Sequence, residues 1–361
     1  MKKLFTVLTA TLLSLVLAFG LTACSPATPP ETPPTCQHTY EATEWFDGAH
    51  HFASKLVCSG CQDEITRNRL EITNAQELVY LAQDINSGAS IGGYTSFFFT
   101  EDIDLTGTTW TPINICSEDG YDYVFKSGKT GNATISGLTV SNQENAGLFG
   151  LVQSKLTIEG ITLDNATISG NNASAFIGTI DCTPTQTLER QNVEFKNLKV
   201  SNSTISGTDH AGAAYAYATG YNGGDALNAT TISINGFDMN AVTVSTLGYA
   251  GALMGAMSDY SGDFVDCVFV IVEGHTFTNV TVTSTQANGA GRVIGIIGYS
   301  DAKLGDVAPP TWGVESNFGS ATANGESITR CYGRTGWTGG SEGCSFNFEA
   351  ANTLKYESAV N

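Results

Sequence analysis

The chain has 361 residues, of which only 14% are charged, and its 40 glycines are unusual for a helix-rich enzyme. Its formal net charge is −19 with 16 basic residues in total, so it lacks the clustered Lys and Arg with which proteins bind a phosphate backbone. This balance argues against nucleic acid and polyanionic substrates as partners, and it favours a soluble β-rich protein outside the cell.

The N-terminal residues predict an export signal. A basic start, Met1-Lys2-Lys3, precedes an uncharged apolar run that ends in Leu21-Thr22-Ala23-Cys24. An uncharged run of about 20 residues is long enough to cross a bilayer. Small residues that lead into a cysteine, however, indicate a processing site. An uncleaved anchor helix with a chance cysteine is the alternative interpretation.

The end of this run resembles the lipobox of bacterial lipoproteins. The resemblance implies that residues 1–23 are a signal peptide and that Cys24, the new N-terminus, carries an acyl anchor that includes palmitate. We therefore expect the protein on the extracellular face of the cell membrane or outer membrane. Residues 24–35 contain five prolines and predict an extended tether that holds the folded part off the bilayer.

A small module of cysteines and histidines is predicted at residues 36–66. Two close pairs of potential metal ligands, Cys36 with His38 and Cys58 with Cys61, lie about twenty residues apart, which is the spacing of a metal site. A Cys-x-x-Cys turn presents two thiolates to one Zn²⁺ ion. The predicted ligands of a single structural zinc are Cys36, His38, Cys58 and Cys61, with His51 as a replacement for one of them. A disulfide within the module is the alternative.

The module also resembles a short segment found near the N-terminus of Gram-positive surface proteins. That resemblance rests on His38-Thr39-Tyr40, Trp45, His50-His51 and the Cys-x-x-Cys turn. One departure is Gln62, which stands where that segment usually has glycine. With four soft ligands available the metal site would be closed, so catalytic zinc is not expected.

A helix is predicted from Ile72 to Gly88. Asn74 is the N-cap candidate with Glu77 three positions later, and Gly88 can end the helix. The apolar residues that share one face are Leu78, Leu81, Ala82 and Ile85. This amphipathic helix would cover the open end of the β domain that follows.

Two short phrases recur after the helix. The first, a small or polar residue followed by apolar-x-apolar, occurs as Gly137-Leu138-Thr139-Val140, Gly160-Ile161-Thr162-Leu163, Asn197-Leu198-Lys199-Val200, Gly236-Phe237-Asp238-Met239 and Asn279-Val280-Thr281-Val282. The second occurs as Ala146-Gly147-Leu148-Phe149-Gly150, Ala175-Phe176-Ile177-Gly178, Ala211-Gly212-Ala213-Ala214, Ala250-Gly251-Ala252-Leu253-Met254-Gly255 and Ala290-Gly291-Arg292-Val293-Ile294-Gly295. A period of about 40 residues predicts a solenoid in which each coil stacks on the next. Asn at repeated corners is suited to the left-handed backbone region.

The alternation of these phrases resembles the GLUG repeat of bacterial surface proteins, and Gly147-Leu148-Phe149-Gly150 is the nearest copy. The resemblance implies an all-β fold, a right-handed parallel β-helix, and it implies a surface location but no reaction. It covers about residues 72–298, and we expect the β-helix to extend over 72–319.

The C-terminal segment, 320–361, is expected to cap the other end of the solenoid. Cys331 and Cys344 lie about a dozen residues apart among aromatic residues, and we predict a disulfide between them. The pairing of Cys116, Cys182 and Cys267 stays open.

Catalytic residues are not predicted. Glycoside hydrolysis needs two carboxyl groups about 5–10 Å apart, and Asp102 and Asp104 have suitable i, i+2 spacing on one strand. The simpler interpretation is that both are solvent-facing strand residues. Five tyrosines lie in or near successive coils: Tyr215, Tyr217, Tyr221, Tyr249 and Tyr260. They either line one outer face, where they could stack on sugars, or fill coil interiors or loops.

The functional hypothesis is a non-catalytic, adhesin-like lipoprotein. Its expected partners are the membrane, through the lipid anchor, and a glycan, host matrix or cell-surface protein, because elongated solenoids present long faces for such contacts. The residues that contact this ligand are unknown from sequence. A glycan-cleaving β-helix enzyme and a structural stalk or envelope component are the alternatives.

Overall fold

The structure is a computed structural model that describes residues 38–46, 49–88, 91, 93–116, 121–182, 192–220, 230–259, 268–285, 297–300, 322–323, 326–327 and 332–335. The predicted signal peptide, Cys24, the tether, Cys36, Cys331 and Cys344 lie outside the described residues. Two compact units are present among the described residues. The first contains 38–41 and 57–64, and the second contains all the others.

A small sheet lies at the N-terminal end of the described chain. Its strands are β1 (Tyr40–Phe46), β2 (Ala49–Cys58) and β3 (Glu64–Thr66), in the order β1-β2-β3. The Trp45 side chain on β1 is 48% exposed, whereas Phe52 on β2 is fully buried.

The predicted helix is present as α1 (Ala75–Ser87), and the preceding Ile72 ends strand β4 (Leu70–Ile72) instead of lying in the helix. Asn74 caps the helix, since its side-chain oxygen accepts a hydrogen bond of 3.0 Å from the Glu77 backbone N–H. Gly88 ends it in the left-handed conformation with φ 68°. No helix within the described residues is long and apolar enough to cross a membrane.

Helix α1 is fastened to the first coil, as the sequence predicts for a cap. Leu78, Leu81 and Ala82 are buried in the core. The Asn86 amide donates to the Pro112 carbonyl oxygen at 2.9 Å, and its side-chain oxygen accepts the Asn114 backbone N–H at 2.7 Å. The side chain of Asn86 therefore forms hydrogen bonds with backbone groups that a neighbouring strand would otherwise bind.

Short strands make up the rest of the described chain. Up to the middle they are β5 (Ser96–Phe99), β6 (Ile103–Asp104), β7 (Ile113–Ile115), β8 (Asp122–Ser127), β9 (Ala133–Ser136), β10 (Thr139–Ala146), β11 (Phe149–Val152), β12 (Lys155–Glu159), β13 (Ile161–Asp164), β14 (Thr167–Ser174) and β15 (Ile177–Cys182). The later strands are β16 (Asn192–Gly212), β17 (Tyr215–Gly220), β18 (Thr230–Thr246), β19 (Tyr249–Ala250), β20 (Met254–Asp259), β21 (Val268–Ser284), β22 (Ile297–Ser300), β23 (Thr322–Ala323), β24 (Glu326–Ser327) and β25 (Tyr332–Thr335).

These strands form a parallel β-solenoid, which confirms the predicted fold class. Within the described residues, a 15-strand sheet has the main path β4-β5-β8-β12-β16-β18-β21-β23-β24, and a seven-strand sheet has the order β7-β11-β15-β17-β20-β22-β25. Aligned residues such as Ile177, Tyr215 and Met254 are 38 and 39 residues apart, close to the predicted period. Each pass of the chain therefore adds a strand beside its predecessor in each sheet.

Two corners of each coil depend on left-handed residues. At the first corner Gly160, Asn197 and Gly236 have φ of 64°, 50° and 71°. At the second, the residues with φ between 49° and 54° are Asn165, Asn202, Ala241 and Asn279. Gly, which has no Cβ, and Asn adopt this region at a lower cost than other residues, which explains why both recur in the sequence.

Copies of the first repeat phrase occur at both corners of the coil, and not at one corner only. Leu198 aligns with Phe237 as predicted, but Val280 aligns with Val242, and Thr139 aligns with Thr167. The copies at 137–140 and 279–282 therefore belong to the second corner. Both corners place a left-handed residue before an apolar-polar-apolar strand, so the local sequence does not distinguish them.

The predicted inward residues form one continuous core. Leu138, Ile161, Leu198, Phe237 and Val280 are each at most 2% exposed and belong to the same apolar cluster. Aromatic rings pack in a row along the interior, with centroids of Phe97, Phe125 and Phe149 at successive distances of 4.8 Å, the first pair tilted and the second edge-to-face. Since each coil contacts only its neighbours, stability is shared between adjacent coils.

Candidate metal centre and aromatic cluster

His38, Cys58 and Cys61 form a candidate metal site. Their ligand atoms all lie within 4.8 Å of one another, and His38 Nδ1 is 3.3 Å from Cys61 Sγ. Cys58 is buried at the end of β2, while His38 and Cys61 are exposed. One imidazole nitrogen and two sulfurs that converge in this way suit Zn²⁺, which prefers N and S ligands in a tetrahedron.

A tight turn after β2 brings the two thiols together. The Cys58 backbone N–H donates to the Asp63 carbonyl oxygen at 2.8 Å, and the Gln62 backbone N–H donates to the Cys58 carbonyl oxygen at 2.9 Å. Gln62 has φ 61°, a conformation that glycine adopts most readily.

The same turn activates the buried thiol. Backbone N–H groups of Cys61 and Gly60, together with the side chains of Cys61 and His38, lower the pKa of Cys58 to about 6, and burial only partly opposes them. The thiolate form is therefore dominant at neutral pH. A thiolate, not a thiol, is the species that ligates a metal ion.

Tyr40 and Asp63 support the histidine. The Tyr40 hydroxyl donates to Asp63 Oδ2 at 2.7 Å, which raises the pKa of Tyr40 to about 12. The Tyr40 ring stacks on His38 at a centroid distance of 5.5 Å, and Asp63 Oδ2 lies 3.9 Å from His38 Nδ1. Ring stacking on Tyr40 thus fixes the plane of the imidazole, while its Nδ1 faces both Cys61 Sγ and Asp63. From the sequence, Tyr40 was named only as part of the motif that carries the resemblance, and Asp63 was not identified.

Of the other two predicted ligands, only His51 lies among the described residues. Cys36 lies outside the described residues. The His51 ring stacks on Tyr80 of α1 at 4.1 Å, and among the described residues the metal-ligating group consists of His38, Cys58 and Cys61 without it.

An aromatic cluster lies on the second unit, formed by His210, Tyr217 and Tyr249. His210 stacks on Tyr217 at a centroid distance of 4.6 Å and on Tyr249 at 5.9 Å, with 17° between the ring planes in both cases. All three residues are half-buried. Burial lowers the pKa of His210 to about 4, hence the ring is neutral at physiological pH.

A row of amide side chains holds His210 in place. Asn145, Asn172, His210 and Tyr249 occupy the same position in successive coils. His210 Nδ1–H donates to Asn172 Oδ1 at 2.7 Å, and the Asn172 amide donates to Asn145 Oδ1 at 3.1 Å. Thr179 donates to the same Asn145 oxygen at 2.5 Å. This network fixes the orientation of the imidazole.

The remaining tyrosines divide between the two predicted roles. Tyr215 is fully buried and packs against Phe195 at 6.5 Å, so it fills the coil interior. Tyr217 and Tyr249 lie on the outer surface, whereas Tyr221 and Tyr260 are outside the described residues.

Asp102 and Asp104 bind neighbouring groups of the fold. Asp102 forms an ion pair with Lys129 at 2.7 Å and accepts the Thr134 backbone N–H, also at 2.7 Å. Asp104 accepts the Thr106 backbone N–H at 2.9 Å. Both pKa values are lowered, mainly by Lys129 for Asp102 and by Thr106 for Asp104, so both carboxylates are ionised at neutral pH.

Cysteine pairing beyond the metal group stays a prediction. Cys116 is exposed and not in a disulfide, and partial burial raises its pKa. The Cys182 side chain and Cys267 lie outside the described residues.

No protein-family model and no curated protein matches this sequence. Among solved structures, the chain is similar to the crystal structure of a putative immunoglobulin A1 protease from Bacteroides ovatus. The two share 14% sequence identity with a TM-score of 0.44, and the similarity covers 72% of this chain and 78% of that one.

Proposed function

We propose that the protein is a non-catalytic surface lipoprotein of the GLUG-repeat type. In this proposal Cys24 carries the lipid, residues 24–35 form the tether, and the solenoid binds a glycan, host matrix or neighbouring cell surface. The lipobox-like run supports the surface location, and the solenoid supports the role in binding.

The observation that carries the binding role is a long uncharged outer face at the second corner. One threonine from each of five successive coils is exposed and in register: Thr139, Thr167, Thr204, Thr243 and Thr281. A second row of half-buried hydroxyls follows two residues later: Ser169, Ser206, Ser245 and Thr283. Neighbouring strands are about 4.8 Å apart, so hydroxyl groups repeat regularly along the solenoid. Such a face can hydrogen-bond to an extended polar partner.

The role of the two carboxylates supports a binder in preference to an enzyme. A general acid must be protonated at its working pH, and a pair of glycosidase carboxyls needs one such acid. The contacts of Asp102 and Asp104 instead stabilise the ionised form of both. Their ionised state therefore disfavours Asp102 and Asp104 as the carboxyl pair of a glycan-cleaving enzyme.

Binding can be measured on arrays of glycans, matrix proteins and fixed cells with soluble chain 36–361. We expect binding to at least one glycan, matrix or cell surface. A stalk or envelope component would bind none of these surfaces, and that result would contradict the proposal.

Cys24→Ala is expected to abolish membrane attachment, because the acyl chains supply the hydrophobic binding energy once the signal is removed. The variant should be released or accumulate as unprocessed precursor. Labelled palmitate followed by fractionation of the cells measures this. The control is Cys116→Ser, which should be lipidated normally. Equal palmitate incorporation into Cys24→Ala would show that the anchor lies elsewhere.

We also propose that the His38, Cys58 and Cys61 group holds one structural zinc ion, with Cys36 as the fourth ligand. The short His38 to Cys61 distance and the lowered pKa of Cys58 support this assignment. Zinc bound there would crosslink the two ends of the first unit, 38–41 and 57–64.

A further inference from the structure

Two neighbouring rows of side chains on the solenoid are free of charge. The first row contains Asn145, Asn172, His210 and Tyr249. The second, aligned by the other sheet, contains Leu151, Thr179, Tyr217 and Ala256. Two contacts connect the rows. His210 stacks on Tyr217, and the Asn172 amide donates a hydrogen bond to the Thr179 hydroxyl. Thr179 and Ala256 are buried, so the aromatic residues and the two asparagine amides make up most of what these rows expose.

This combination identifies the chemistry of a partner. Tyrosine rings present rigid apolar surface with few torsion angles to immobilise, and amide or hydroxyl groups beside them supply hydrogen bonds. A strongly anionic partner would need Lys or Arg, and neither row contains one. The chain as a whole carries a net charge of −19, which also disfavours anions.

We propose that His210, Tyr217 and Tyr249, supported by Asn172, form a subsite for a neutral glycan. The inference rests on the proposed role in surface binding and names the place and ligand class for it. The apolar face of a sugar ring would pack on the exposed parts of the aromatic rings, and its hydroxyl groups would hydrogen-bond to polar groups at the edge.

The subsite is organised before a ligand arrives. Asn172 accepts from His210 Nδ1 and donates to Asn145, so the imidazole cannot rotate without breaking a chain of hydrogen bonds. Both tyrosines are held by stacking on that imidazole. A rigid site loses little conformational entropy on binding, which increases affinity for a weakly interacting ligand such as a sugar.

Affinity electrophoresis of soluble chain 36–361 through gels with neutral polysaccharides tests the subsite. The probes are xyloglucan, galactomannan, arabinoxylan, mixed-linkage β-glucan and starch, with heparin and polygalacturonate as anionic comparators. Tyr217→Leu and Tyr249→Leu keep apolar volume but remove the ring. The matched control is Tyr121→Leu, since Tyr121 is 47% exposed at another place on the surface.

We expect at least one neutral polysaccharide to retard the wild type. Each ring-deleted variant should raise the dissociation constant about tenfold, which corresponds to about 1.4 kcal/mol, and Tyr121→Leu should not. Tyr249→Phe keeps the ring and should retain most of the affinity. Circular dichroism and the melting temperature confirm that each variant is folded.

Two results would overturn the subsite. The first is a wild type that no neutral polysaccharide retards, and the second is retardation that both folded leucine variants retain. If the wild type still binds matrix proteins or cells in either case, the proposed surface-binding function stands and only the glycan subsite fails. Failure of binding on every surface would contradict both.

Discussion

Leu198→Asp is expected to lower the free energy of unfolding of the solenoid by about 3–5 kcal/mol, because it places an unpaired charge in an apolar core. Leu198 is 2% exposed and aligns with Phe237 of the next coil. Since adjacent coils stabilise each other, damage in this middle coil should extend to its neighbours on both sides. Urea unfolding of chain 36–361, followed by circular dichroism, measures the change.

Thr204→Asp is the matched control on the same strand. Thr204 is exposed, so its substitution should alter stability by less than about 0.5 kcal/mol. If Leu198→Asp were tolerated equally well, the inward direction of Leu198 and the continuous core would be wrong.

Loss of bound zinc on replacing Cys58 or Cys61 is the second large effect that we expect. Structural zinc contributes about 10–16 kcal/mol of apparent binding free energy at pH 7 in small zinc-dependent modules, so removal of one thiolate should abolish binding. Elemental analysis of protein purified under reducing conditions should give about one zinc per chain. Cys58→Ser and Cys61→Ser should each give close to none.

Cys116→Ser is the control for these variants, since Cys116 is outside the metal group, and it should retain about one zinc per chain. A chelator should change the first unit and leave the circular dichroism of the solenoid largely intact. Absence of zinc, together with a disulfide between module cysteines seen by mass spectrometry, would contradict the metal assignment and establish the alternative.

Several features of the fold were predictable because they depend on local chemistry. Asn74, Glu77 and Gly88 specify the two ends of the helix through capping, and the structure confirms both caps. Inward residues such as Leu198 and Phe237 follow from the period of two along a strand. The Cys-x-x-Cys spacing likewise predicts that its two thiols lie close together, as they do in the candidate metal site.

Other features depend on the alignment of coils, which local sequence does not determine. Val280 lies at the second corner instead of the predicted first one, because both corners place a left-handed residue before the same alternating pattern. Tyr215 and Tyr217 are two residues apart, yet one is buried and the other reaches the surface. The alternation fails there because residues 213–216 are all buried, where the chain passes from the end of β16 into the start of β17.

The aromatic cluster was only partly predictable for the same reason, since the sequence named Tyr217 and Tyr249 as candidates for one face but did not connect them with His210. His210 and Tyr249 are 39 positions apart and come together only through the register of β16 with β19. Tyr217 belongs to the other sheet. Asp63 was missed because its carboxylate acts on His38 through space and belongs to no metal-binding motif.

The central claim of the proposed function is that the protein binds a partner without cleaving it. The most direct test is to incubate chain 36–361 with each polysaccharide that it binds and to measure the release of reducing ends over time. We expect no release above the buffer control, and Asp102→Asn should bind as tightly as the wild type. Release of reducing ends by the wild type, abolished in Asp102→Asn with unchanged circular dichroism, would contradict the account and identify a glycan-cleaving enzyme.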